Sequence, residues 1–159
     1  MIKKDISLIA MHTNFDKTHL NKYVLEKVLQ LPCEEQNEFL ALSQTSYSFD
    51  ELFAYVCDKL SLPYQKRVAS NDKINQKIAL TTGSGASLIK DAQLAGADCF
   101  LTGDIKYHDA MMARELGLNL IDIGHFESEI YFADVLSQEL QALGVEHSVC
   151  NSQSAFLYE

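Results

Sequence analysis

The spacing of hydrophobic positions changes several times along the chain. Residues 6–11, ISLIAM, form a short apolar run that reads as a buried strand. From Lys17 the period becomes helical, with Leu20, Tyr23 or Val24, Val28 and Leu31 on one face, and Pro32 ends it. Residues 33–47 are polar and show no clear period. Ser48 and Glu51 stand three apart, the spacing of a capping box, and a helix to about Leu60 follows, with Leu52, Tyr55, Val56 and Leu60 inward. Residues 63–76 read as an irregular connection, and 33–76 as a whole is the variable connecting region.

The second half is more regular. KIALTT at 77–82 predicts a strand, Gly83, Ser84 and Gly85 a turn, and residues 86–95 a helix closed by Gly96. A strand at 97–103, a helix at about 107–116 closed by Gly117, and a strand at 118–124 come next. A helix at about 127–143 is closed by Gly144, and residues 145–150 and 155–159 are candidate edge strands. Alternating strands and helices predict an α/β fold, a mostly parallel sheet with helices on both faces. In such sheets ligands gather at the carboxyl ends of strands. The segments to read for chemistry are therefore HTNFD (12–16), TTGSG (81–85), TGDIKYHD (102–109) and IGHFESE (123–129).

A length of 159 residues is that of one domain, 1–159. The net charge of −9 argues against wrapping a nucleic-acid backbone and against an anionic membrane surface. No apolar run approaches the roughly 18 residues of a membrane span, and the start lacks a signal-peptide cleavage site. Four dispersed cysteines (Cys33, Cys57, Cys99, Cys150) form no C-x-x-C pair, so the expected setting is the reducing cytoplasm.

His125 and Glu129 are four apart where a helix follows a strand, so both can face one ion while Glu127 points elsewhere. An imidazole with a carboxylate suits Zn, Mn, Fe or Ni better than Ca or Mg. The alternative is a helix start decorated with acids that complement its dipole. His12 and Asp16 pair the same two chemistries, or Asp16 simply caps a helix. Asp104, Lys106, His108 and Asp109 pack together beside Gly103, either as a proton-transfer cluster or as a solvated helix cap. Gly83, Ser84 and Gly85 could cradle a phosphate or form a plain tight turn; the full dinucleotide and P-loop fingerprints are both absent. No nucleophile elbow occurs, and His19 and His147 receive no role.

Taken together, TTGSGASL, GADCFLTGDIKYHDA and GLNLIDIGHFESE, preceded upstream by HTNFD, resemble the NIF-three-like family, whose members are often named GTP cyclohydrolase 1 type 2 homologues. The resemblance covers residues 6–16 and about 77–158. It implies an α/β fold, two divalent metal ions per subunit, and a ring-shaped homohexamer, a trimer of dimers, with the metals facing an internal cavity. Asp16 matches the metal-binding Asp of the H-T-N-x-D motif, and His125 and Glu129 match the His and Glu of G-H-x-x-S-E. Gly83, Ser84, Gly85 and Lys106 then fall on the substrate side, and His12, Asp104 and His108 become candidates for proton transfer.

Two departures stand against that pattern. The family's adjacent His-His-Pro motif has no counterpart here, and Lys17, Thr18, His19 and Leu20 replace a Gly-Gly turn after HTNFD. The chain therefore reads as a member without the front part that carries the His pair, and one ion or none is expected instead of two. The expected function is a metal-dependent hydrolase acting on a nucleotide or phosphorylated heterocycle, with GTP the compound the family name suggests. The alternative is a non-catalytic metal-binding or assembly protein. A dinucleotide binder fits the layers only in part, because the strand after the glycine turn ends in Thr102 and Gly103, with Asp104 just beyond.

Overall fold

The computed structural model describes residues 4–157. A continuous helical stretch over 13–28 (α1) alternates α turns, Thr13–Phe15 and Asn21–Tyr23, with π turns, Asp16–Leu20 and Val24–Val28. It is followed by β1 (Glu35–Asn37), β2 (Leu40–Tyr47), α2 (Phe49–Leu60), β3 (Arg67–Val68) and β4 (Asn75–Ser84). A 3-10 turn, Ala86–Leu88, leads into α3 (Ile89–Leu94), and β5 (Cys99–Gly103), α4 (Tyr107–Glu115) and β6 (Asn119–Asp122) alternate after it. Two helices, α5 (His125–Glu129) and α6 (Phe132–Ala142), complete the order.

The six strands form one mixed sheet in the order β1-β2-β4-β5-β6-β3. Its centre, β4-β5-β6, is parallel, and the flanking pairs β1-β2, β2-β4 and β3-β6 are antiparallel. The central strands are buried on both faces, as parallel strands require. Ile78, Leu80, Cys99, Leu101, Ile121 and Ile123 point to one face, where α1, α2 and α6 pack through Leu20, Val24, Leu52, Val56 and Val135. Ala79, Phe100 and Leu120 point to the other, against the crossover helices α3 and α4 through Ile89, Ala92 and Ala113. The expected α/β architecture with two helical layers is thus present, with a parallel core and antiparallel edges.

The capping box forms as its spacing predicts: the Ser48 backbone N–H donates to Glu51 Oε2 at 2.9 Å, and the Glu51 N–H donates to Ser48 Oγ at 3.3 Å. Other expectations are corrected. ISLIAM is not a strand, and Ile6, Leu8, Ile9 and Met11 are exposed. It is not among the six strands of the sheet, whose outermost members are β1 and β3. Residues 145–150 and 155–157 are also not strands; the chain over 147–156 walls a cavity instead, and the last two positions of the expected 155–159 strand lie outside the described residues. The connecting region 33–76 contains β1, β2, α2 and β3, and β2 sits next to the sheet centre. The expected helix at 127–143 is two helices, α5 and α6.

Candidate functional site

The three parallel strands deliver their carboxyl ends to one edge, where Ser84 of β4 lies opposite Gly103 of β5 and Thr102 lies opposite Asp122 of β6. Two glycines let the loops there touch. A Cβ on Gly103 would stand 2.6 Å from the backbone nitrogen of His125 and 2.7 Å from the Gly124 carbonyl carbon, so only glycine brings the end of β5 against the start of α5. Gly83 has φ +67°, and its N–H donates to Ser128 Oγ at 2.9 Å. A side chain there would press into the Glu129 carboxylate and lie 3.4 Å from His125 Nε2. Gly85 is buried, and its N–H donates to Thr102 Oγ1 at 2.9 Å.

These contacts set the chemistry. Asp104 follows Gly103, and its Oδ2 lies 2.7 Å from His125 Nδ1. A carboxylate on Nδ1 favours the tautomer with its proton there and presents Nε2 outward. On the opposite side of the ring, Nε2 lies 3.4 Å from Glu129 Oε2, the i,i+4 relation read from the sequence. Glu127 packs against Gly124 rather than joining that pair. The Asp104 hydrogen bond, with help from the charges of Glu129 and Asp104, raises the His125 pKa above the usual imidazole value. Burial raises Glu129, with Asp16 adding and His125 opposing. Burial likewise raises Asp16, and His12 and His125 pull it back.

Asp16 reaches the site from α1. Asn21, a little more than one turn further on, pins α1 to β4: Thr82 donates from both its backbone N–H and its hydroxyl to Asn21 Oδ1, each at 2.8 Å. Asp16, His125, Glu129, Asp104 and His12 line one cavity of about 940 Å³, floored by apolar side chains that include Phe126, Phe132 and Leu136. In donor chemistry this set suits a divalent ion. In placement it falls short of enclosing one: among the described residues no three His, Cys, Asp or Glu side chains are grouped closely enough to hold a metal.

Not every expected residue joins the cavity. His108 is exposed at the start of α4, edge-on to Tyr107 with ring centroids 5.9 Å apart, and lines none of the three cavities around Asp104. Lys106 and Ser84 face a neighbouring cleft of about 420 Å³ together with Ser87, Lys90, Asp104 and Asp109. Its two carboxylates are engaged elsewhere, Asp104 by His125 and Asp109 by the Lys106 backbone N–H at 2.9 Å. The sequence reading passed over Lys90, Ser87, Tyr64, Lys66 and Asp122. Of these, only Asp122 carried a signal, as a lone acid inside the apolar run LNLIDIG.

No helix among the described residues is long and apolar enough to cross a membrane. The chain is 42% identical over 158 residues to a Campylobacter jejuni protein named GTP cyclohydrolase 1 type 2 homolog, covering 99% of this chain and 64% of that protein. It is 38% identical over 143 residues to the GTP cyclohydrolase 1 type 2 of Helicobacter pylori, covering 89% of this chain and 58% of the relative. The chain thus spans about three-fifths of the length of these relatives. Among solved structures, the Staphylococcus aureus protein SA1388 superposes with a TM-score of 0.78 at 26% identity, over 99% of this chain and 71% of that one. The profile of the Duf34/NIF3 (NGG1p interacting factor 3) family matches residues 1–155, and the chain belongs to that family.

Proposed function

We propose that the chain is part of a metal-dependent hydrolase acting on a nucleotide or a similarly phosphorylated heterocycle, with GTP the first compound to test. One observation carries the reading: His125 is held at Nδ1 by Asp104 and faces Glu129 at Nε2, inside a cavity kept open by Gly83. A histidine oriented in this way presents its Nε2 lone pair to the cavity, and with Asp104 fixing the ring it would serve as a ligand to a divalent ion there. The names of the relatives support a guanine nucleotide. Lys106 and Lys90, with the hydroxyls of Ser84 and Ser87, offer cations and donors to phosphate on the far side of Asp104.

A divalent ion (Zn, Mn, Fe or Ni) and assembly into a homohexamer are parts of the same proposal. His125, Glu129 and Asp16 are the side chains of this chain that would hold such an ion, which would supply a bound water acidic enough to react near neutral pH; proton transfer falls to His12, which lines the same cavity. The test incubates the purified chain with GTP and Mn or Zn and follows formate release, with phosphate-ester hydrolysis in parallel. Turnover that disappears in Glu129→Ala while the fold persists supports the reading; turnover untouched by that change excludes the site. The second reading is a non-catalytic metal-binding or assembly protein, supported by the absence of a His-His pair in this sequence. Stoichiometric metal without turnover of any substrate selects it.

A further inference from the structure

We propose that Asp122 is the positioning residue of this site, a buried carboxylate that holds Asp104 and His125 in register with each other. Asp122 ends β6, is 3% exposed, and does not line the cavity that holds His125 and Glu129. Each of its oxygens serves one loop. Oδ1 accepts the Gly124 N–H at 3.1 Å and the Tyr64 hydroxyl at 3.3 Å. Oδ2 accepts the Ile105 N–H at 3.3 Å and the Lys66 ammonium at 2.8 Å. Gly124 immediately precedes His125, and Ile105 immediately follows Asp104. One carboxylate therefore anchors the residues next to both members of the 2.7 Å pair.

Backbone conformation explains why such an anchor is needed. Asp104 has φ +57°, a left-handed conformation that disfavours a side chain, and Gly124 has φ +74°. The Ile105 peptide is gripped at both ends, because its N–H donates to Asp122 and its carbonyl accepts from Lys66 Nζ. Lys66 is held in place in turn, since its own carbonyl accepts the Asp122 N–H at 3.0 Å. Tyr64 packs its hydroxyl over Gly124, where a Cβ would meet it at 2.9 Å. The Asp122–Lys66 pair thus holds the two positive-φ turns from which the His125–Asp104 hydrogen bond is built.

The test uses the nitrogen-15-labelled chain and reads amide hydrogen exchange at Ile105 and Gly124, with Leu80 and Leu101 as core references. It also reads the His125 ring nitrogens at one fixed pH. In Asp122→Asn, which keeps one acceptor oxygen and puts an NH2 group in place of the other, exchange at whichever of Ile105 and Gly124 faces the NH2 is expected to accelerate by at least about tenfold, the size of a lost hydrogen bond to a charged group, while the references stay unchanged. The Nδ1-protonated signature of His125 is lost with it. Lys66→Met, the variant that decides if Asp122→Asn does not fold, speeds Ile105 and spares Gly124, because the two amides use different oxygens; Lys66→Arg restores Ile105. Unchanged exchange at both amides, equal acceleration throughout the core, or an unaltered His125 tautomer overturns the proposal. It rests on the hydrolase reading only for its effect on turnover, where Asp122→Asn lowers kcat by roughly a hundredfold with KM within about twofold. A wild-type chain without turnover counts against the hydrolase reading alone, because the exchange and tautomer readouts need no substrate.

Discussion

Replacing Gly83 with alanine separates the function of the site from the stability of the fold. The new Cβ would sit closer to Glu129 Oε1 than the 3.0 Å that real Cβ atoms keep, and 3.4 Å from His125 Nε2. The offending atom ends a flexible side chain, so the protein yields by moving the carboxylate, by roughly 1 Å. Such a displacement in a reacting constellation lowers turnover by about a hundredfold. The stability effect is separate: φ +67° costs an alanine about 1–2 kcal/mol. For a chain of this size that lowers Tm by roughly 2–8 °C. Gly96→Ala is the matched control, because Gly96 has φ +79° and nothing within 4 Å of an added Cβ. It carries the same backbone penalty and leaves the site untouched. Calorimetry and a GTP hydrolysis assay on both variants should give similar losses in Tm and a turnover defect in Gly83→Ala only. Equal turnover in the two variants, at any level, refutes the reasoning.

Two further expectations follow from named contacts. Asn21→Ala strands the buried Thr82 N–H and the Phe39 carbonyl that Asn21 satisfies, which costs roughly 2–4 kcal/mol and loosens α1 beneath Asp16; thermal melts check it, and an unchanged Tm contradicts it. Asp16, Glu129 and His125 all hold protons more tightly folded than unfolded. Their stabilising contribution is therefore complete below the unfolded values of about 4 for the acids and 6.5 for histidine, and it is lost as pH rises through the raised folded values. Tm should fall between about pH 5 and pH 8, with a shallower decline above pH 6.5 in His125→Ala; a Tm that climbs across this range contradicts the assignment.

The parts of the fold legible in the sequence are those where one local signal decides the outcome. Ser48 and Glu51 mark a helix start because both partners of the cap lie within four residues. The glycines at 96, 117 and 144 mark helix ends because each needs a positive φ. The strand-end rule led to His125, Glu129 and Asp104, since β5 and β6 are buried apolar runs with polar residues at their ends. What stayed hidden depended on partners distant in sequence. β2 is a buried strand whose polar half, Gln44–Tyr47 in the β2-β4 register, disguised it. ISLIAM looks like a strand by composition, yet it joins neither edge of this sheet and its large side chains are exposed. Lys66 joins Asp122 across 56 residues and Tyr64 joins it across 58, separations that no periodicity encodes. His108 looked equivalent to His125 in composition; the start of α4 turns it to solvent.

That last distinction gives the most direct test of the account, which holds that the site is built on the histidine gripped by Asp104. His125→Ala and His108→Ala are assayed side by side for GTP hydrolysis with Mn or Zn supplied. The account predicts that His125→Ala loses about a hundredfold in kcat/KM, the size of a disturbed ligand set, while His108→Ala stays within about threefold of the parent chain. Loss in His108→Ala with His125→Ala unaffected, or no turnover in the parent chain, would contradict it.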